Sequence, residues 1–202
     1  MTPELFDDIC RSSLGHRTSQ EQTYDLARNV LDRGIAGDFV ECGVYAGASC
    51  ALMAYAIMEY NATAATAGWA RSTARVHLFD SFEGLPTPGP HDDPSQARKG
   101  ESACSLEDCK GNMLRRWKIP AELLVWHKGW FADTVPNAGI ERIAMLRLDG
   151  DLYESTAIPM KHLFPLVANG GYVIVDDYDL IGCRYAVNEV VIPAPVAFRK
   201  WW

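Results

Sequence analysis

A chain of 202 residues, 48% hydrophobic and 22% charged, is long enough and apolar enough for one globular domain with a real core. Its 26 acidic against 19 basic residues give a formal charge of −7, which disfavours a nucleic-acid backbone or an anionic membrane as the main partner. The acidic start "MTPELFDDICRSS" lacks a signal-peptide core, no apolar run approaches the roughly 18 residues of a membrane span, and six cysteines without a CxxC pair predict a reducing, cytoplasmic setting.

In chain order, residues 1–36 read as a helical lead-in carrying "SQEQTYDLARNVLDR", with Ser19 as N-cap and Gln22 completing a capping box. "GDFVECG" (37–43) reads as a strand, and a small-residue turn then enters the apolar helix "SCALMAYAIMEY". The Ala/Thr/Ser-rich stretch 61–75 reads as a loop before a second strand, "ARVHLFD" (74–80). Residues 84–102 are loaded with Pro, Gly and charge, and a loop of that length in a compact domain predicts a lid or insertion, here drawn over 84–110. A helix over "SLEDCKGNMLRRW" leads to a third strand, "ELLVWHKG" (122–129). "RIAMLRLD" (142–149) is the fourth strand, followed by the helix "STAIPMKHLFPLV"; "GGYVIVDD" (170–177) is the fifth, followed by the helix "CRYAVNEVV". Near-continuous apolar strands separated by helices predict a single α/β domain over 1–202. It would be a three-layer sandwich around a mostly parallel, Rossmann-like sheet.

In such a sheet, ligands bind beyond the carboxyl ends of the strands, where the strand order reverses. Every strand end here carries carboxylates or glycines. The first, "ECGVYAGAS", is Glu41-x-Gly43-x-x-x-Gly47 followed by Ser49, and is not the GxGxxG of a pyrophosphate loop. An acid followed by one glycine suits a ligand with a cationic amino-acid end, such as S-adenosylmethionine; a tight turn that simply needs small residues fits equally. Asp80, ending the second strand before Ser81, is placed to accept hydrogen bonds from ribose hydroxyls, whichever nucleoside carries them. Phe82, Trp130 and Phe131 are candidate apolar walls for an adenine or ordinary core residues. Asp149 ends the fourth strand, and Asp176 and Asp177 end the fifth. Three carboxylates brought together by neighbouring strands, without adjacent Cys or His, suit a hard divalent cation such as Mg²⁺. Glu154 reads as a helix-start acid, and Asp151 fits either role. His77 and His127 lie in strand patterns and read as core residues; His16 and His162 read as structural.

The stretches "GDFVECGVYAGAS", "FDSFEGLP", "GWFADTVP", "LRLDGDLYES" and "GGYVIVDDY" followed by "IGCRYAV" resemble the macrocin/mycinamicin-type O-methyltransferases, a metal-dependent group of class I S-adenosylmethionine enzymes. They run in the family's order from about residue 37 to 190. The resemblance implies methyl transfer to a hydroxyl of a sugar or other secondary metabolite. It implies cofactor contacts from Glu41, Gly43, Gly47 and Ser49 toward the methionine end, from Asp80 and Ser81 at the ribose, and from Gly129, Trp130 and Phe131 at the adenosine side. It also implies Mg²⁺ on Asp149, Asp176 and Asp177, with Asp149 the nearest proton acceptor. "RTSQ" (17–20) matches a comparable Arg-Thr and would reach the cofactor site.

This chain departs from the family at "YAGAS", where an Arg and a Gly pair are usual. No substrate-side histidine can be transferred to His91, and "VIPAPVAFRKWW" leaves little length for a closing strand pair. The expected partner is a small hydroxyl acceptor, with a second copy of the chain allowed for by the lead-in helix. A non-catalytic nucleoside-binding relative, or a nicotinamide-dependent oxidoreductase, are the alternatives.

Overall fold

A computed structural model describes residues 1–191; the short carboxyl-terminal segment singled out above lies, from 192 on, outside them. Five strands form one parallel sheet: β1 (Asp38–Cys42), β2 (Val76–Asp80), β3 (Leu124–Lys128), β4 (Ile143–Leu148) and β5 (Val167–Val175), in the order β3-β2-β1-β4-β5. The order reverses at β1, so the carboxyl ends of β1, β2 and β4 frame the crevice where such sheets bind ligands. Every residue of β4 is buried, as expected of a central strand covered on both faces.

The two faces have separate cores. Phe39, Leu78 and Met145 point to one, under α1 (Pro3–Cys10), α2 (Arg17–Asp32) and α3 (Ala48–Ala67). Val40, Phe79 and Leu146 point to the other, where Phe131 of the short α5 (Phe131–Thr134), Met160 of α6 (Tyr153–His162) and Val187 of α7 (Ile181–Val191) pack. The lead-in does not leave the domain. Ile9, Ala27 and Val30 are fully buried, and α2 lies along α3.

Three expectations change. The helix α3 continues through 61–67, read above as loop, because its alanines are strong helix formers and the chain stops only at Gly68, a left-handed C-cap. Residues 106–110 are helix α4 (Leu106–Lys110), capped by Ser105 and continued by a π-helical turn, so the irregular segment ends before them. Strand β5 begins at Val167, not 170, with a register shift against β4 that accommodates "NGG". No helix among the described residues is long and apolar enough to cross a membrane.

Candidate active site

The crevice at the reversal point opens into a cavity of about 560 Å³. Gly43, Ser49, Asp80, Ser81, Trp130, Phe131, Asp149, Asp176 and Asp177 all line it, so the strand-end residues singled out in the sequence converge. Glu41, Gly47 and Gly129 do not reach its wall.

Glu41 lies beneath the loop, fully buried. It accepts from the Ser49 hydroxyl and from Cys50 Sγ, and its Oε1 is 3.3 Å from Arg147 Nε. Burial pushes its carboxyl up, opposed chiefly by the Arg147 charge. Gly47 is needed for packing: a Cβ there would meet Met113 Sδ at 2.9 Å and Cys109 Sγ at 3.2 Å. Around them the loop is anchored from two sides. Asp80 Oδ2 accepts from the backbone N–H groups of Val44 (2.7 Å) and Tyr45 (2.9 Å), and Asn112 donates to the Ala46 carbonyl at 3.1 Å. Asp80 Oδ1 takes the Phe82 N–H at 2.7 Å. Asp80 therefore shapes the loop as well as facing the cavity; a carboxylate carries about four acceptor sites, which leaves capacity for a ribose hydroxyl.

Gly43 explains why the first loop and the aspartate site sit so close. Its N–H bonds to Phe79 O at 2.9 Å, and the carbonyl of Asp149 lies directly over its Cα, where a side chain would overlap it.

Asp149, Asp176 and Asp177 each offer an oxygen within 4.8 Å of the others. Below them, Arg147 is fully buried in β4, with Nη2 3.1 Å from Asp149 Oδ2 and 3.0 Å from Asp176 Oδ1. These, like the 3.3 Å from Nε to Glu41, are ion-pair distances without good hydrogen-bond angles, and no guanidinium nitrogen makes a hydrogen bond among the described residues. One cation thus faces three carboxylates, counting Glu41. Burial pushes Asp149 up to about 7 against the pull of Arg147, with Asp176 and Glu41 adding to the rise. Asp177 is raised well above the usual carboxylate range, first by burial and then by Asp149 and Asp151. An oxygen-only, over-acidic cluster of this kind fits a hard divalent cation, whose charge would relieve the repulsion.

The neighbours of the cluster were partly hidden in the sequence. Ser19 is no N-cap: α2 starts at Arg17, after His16, and the Ser19 hydroxyl donates to Asp176 Oδ1 at 2.6 Å. Arg17 turns away to pair with Asp7 (2.7 Å) and Glu21 (2.8 Å). Asp151, at φ +60°, donates its backbone N–H to Asp177 Oδ2 at 3.0 Å; Glu154 falls in the first turn of α6, as expected. Ser13, Leu14 and Gly15 of the α1–α2 turn also line the cavity, with Leu14 65% exposed. Nothing in the sequence flagged that turn. Arg147 did carry a signal, a charge inside a strand apolar on both faces.

The histidines stay out of the cavity wall. His77 Nδ1 lies 2.9 Å from His127 Nε2 and His77 Nε2 lies 3.1 Å from Asp38 Oδ2, a chain across β1, β2 and β3.

Comparison with known proteins gives the family of the chain. The family model described as "Macrocin-O-methyltransferase (TylF)" matches residues 9–192. Curated relatives include an 8-demethyl-8-(2,3-dimethoxy-alpha-L-rhamnosyl)-tetracenomycin-C 4'-O-methyltransferase of Streptomyces olivaceus, 38% identical over 79% of this chain and 60% of that protein. The demethyldecarbamoylnovobiocin O-methyltransferase of Streptomyces niveus is 36% identical over 84% of this chain and 63% of its own length. The chain thus spans about three-fifths of the length of these relatives. Among solved structures, the O-methyltransferase NovP matches with a TM-score of 0.76 at 34% identity, covering 88% of this chain and 72% of that one. The calicheamicin methyltransferase CalS11 shares the fold at 20% identity and a TM-score of 0.71, over 98% of this chain and 89% of its own. By the extent of the family match and the identity to these relatives, the chain belongs to the macrocin-O-methyltransferase (TylF) family.

Proposed function

We propose that the protein is an S-adenosylmethionine-dependent, Mg²⁺-dependent O-methyltransferase acting on a hydroxyl of a sugar or other secondary metabolite. The observation that carries this reading is the convergence of Asp149, Asp176 and Asp177 on one cavity with the Gly43 loop and Asp80, in a chain of this family. When bound, S-adenosylmethionine supplies the methyl group, and a divalent ion makes the acceptor hydroxyl more acidic and fixes its oxygen.

The residues divide the remaining work. Asp80 faces the cavity from β2 with acceptor capacity for the ribose, and Gly43, Val44, Tyr45, Ala48 and Ser49 would border the methionine end. Glu41 acts from below, holding Ser49, Cys50 and Arg147 in place rather than touching the ligand. Trp130 and Phe131 give the adenosine side an apolar wall that excludes water. Asp149, Asp176 and Asp177 would hold the ion, and Asp149 would also take the proton of the acceptor hydroxyl. Buried thiols at Cys42, Cys50, Cys109 and Cys183, none in a disulfide, support a reducing, cytoplasmic compartment.

The test separates cofactor from metal. Calorimetry with S-adenosylhomocysteine should give binding to the wild type and to Asp149→Asn and Asp177→Asn alike. Divalent-ion binding, followed with Mn²⁺ by electron paramagnetic resonance, should be lost in both variants, together with methyl transfer. Full Mn²⁺ binding in both variants would sink the metal role; no heat from S-adenosylhomocysteine at millimolar concentration would sink the enzyme reading.

A further inference from the structure

The Pro- and Gly-rich segment 84–102 leaves β2, yet its tip rests on α6, which follows β4 on the far side of β1. The segment therefore crosses the carboxyl edge of the sheet at the cavity. Its base is closed by Gly100 N–H to Leu85 O and Leu85 N–H to Glu101 O, both 2.9 Å, and Gly84, Leu85, Pro86 and Ser102 line the cavity there.

At the tip, Asp92 is the one residue of 89–96 that is not exposed. Its Oδ1 accepts from the backbone N–H of Tyr153 at 2.7 Å, and its Oδ2 from that of Gly89 at 2.8 Å. Tyr153 is the first residue of α6, whose own N-cap position, Leu152, has no side-chain acceptor to offer. A carboxylate at that place satisfies a donor the helix leaves open and meets the positive end of its dipole. The His91 ring packs beside the Tyr153 ring, 4.4 Å between centroids. The recess exists because residue 182 of α7 is glycine: a Cβ there would overlap Asp92 Oδ1 and lie 3.1 Å from its Cγ.

We infer that Asp92 is a latch, a positioning residue that caps α6 from another part of the chain. It thereby fixes both the segment and the cavity wall formed by Glu154, Ser155 and Ile158. Release of this one carboxylate frees the tip and leaves the base to hold the segment without it, so that the arm through Arg98 and Lys99 opens more often. The consequence for turnover rests on the function proposed above; the latch itself does not, and it is tested without any ligand.

Arg98 and Lys99, both exposed, give trypsin two bonds inside the segment. In the full chain, Asp92→Ala and Gly182→Ala should each speed cleavage at these bonds roughly five- to tenfold, as the open form becomes more populated. Asp92→Asn, which keeps an acceptor oxygen toward Tyr153 but loses the one that takes the Gly89 N–H, should accelerate cleavage less than Asp92→Ala does. The two accelerating variants act from opposite sides of the contact, so a folding defect in one leaves the other to decide. Wild-type cleavage rates in both, equal acceleration in Asp92→Asn, or acceleration spread evenly over all tryptic sites would overturn the latch. Binding of S-adenosylhomocysteine measured alongside tells a failed latch from a failed cavity reading.

Discussion

Replacing Gly43 by alanine probes the contact that joins the first loop to the aspartate cluster. Gly43 adopts φ +95°, and a Cβ there would overlap the Asp149 carbonyl oxygen and lie 2.6 Å from its carbon. Two costs add. A left-handed conformation costs an L-residue about 1–2 kcal/mol. The overlap falls on backbone that cannot swing aside, since the Asp149 N–H is held by Cys42 O at 2.9 Å; parting the ends of β1 and β4 adds about 1–3 kcal/mol of overpacking. The total, about 2–5 kcal/mol, is a large share of a domain's usual 5–15 kcal/mol. Gly34→Ala is the matched control: it sits at φ +65° with nothing within 4 Å of its Cβ, so only the conformational cost of about 1 kcal/mol applies. Equilibrium urea unfolding measures both variants. A loss at Gly43 no greater than at Gly34 would refute the claim that the Asp149 carbonyl is what demands glycine.

Two further outcomes follow from the buried charges. Arg147→Met should cost about 3–5 kcal/mol, because it strands Glu41 in the interior, and the cost should shrink by more than about 1 kcal/mol in a Glu41→Gln background; additive losses would show the two residues uncoupled. Burial, and then His77, lowers His127 to about 4, below its ordinary 6.5. As pH falls from about 6.5 toward 4, the unfolded chain takes up a proton that folded His127 refuses, so stability declines across that window. Screening at this half-exposed ring holds the effect to about 1 kcal/mol, and His127→Gln should flatten the pH dependence by that amount in urea melts at pH 4.5 and 7. An unchanged slope would exclude His127 as its source.

The five strands and the acids and glycines at their ends were legible because both faces of a parallel sheet must be covered, which leaves apolar runs punctuated by polar turns. Asp149, Asp176 and Asp177 could be grouped from strand order alone. What stayed hidden depends on long-range contacts. Ser19 has the local pattern of a cap, but its hydroxyl is claimed by Asp176, 157 residues away. Glu41 has the spacing of a ligand-binding acid, yet Arg147 draws it under the loop. The α3 extension is masked in the sequence by Asn61, Thr63 and Thr66, whose weak helix propensity offsets that of the alanines around them. Asp92 sits in a segment whose composition says only that it is irregular; its partner is a backbone N–H, which has no sequence signature.

Arg147 also bears on the order in which the molecule is assembled. A protein whose acidic pocket is balanced only by an incoming ion has to wait for that ion before its ligands can settle, as small zinc domains do. Here the chain carries part of that balance itself, a guanidinium set among Glu41, Asp149 and Asp176 by the pairing of β4 with β1. On the reading proposed above, the sheet would be assembled first and the ion added to it afterwards, offsetting the negative charge that one guanidinium leaves over.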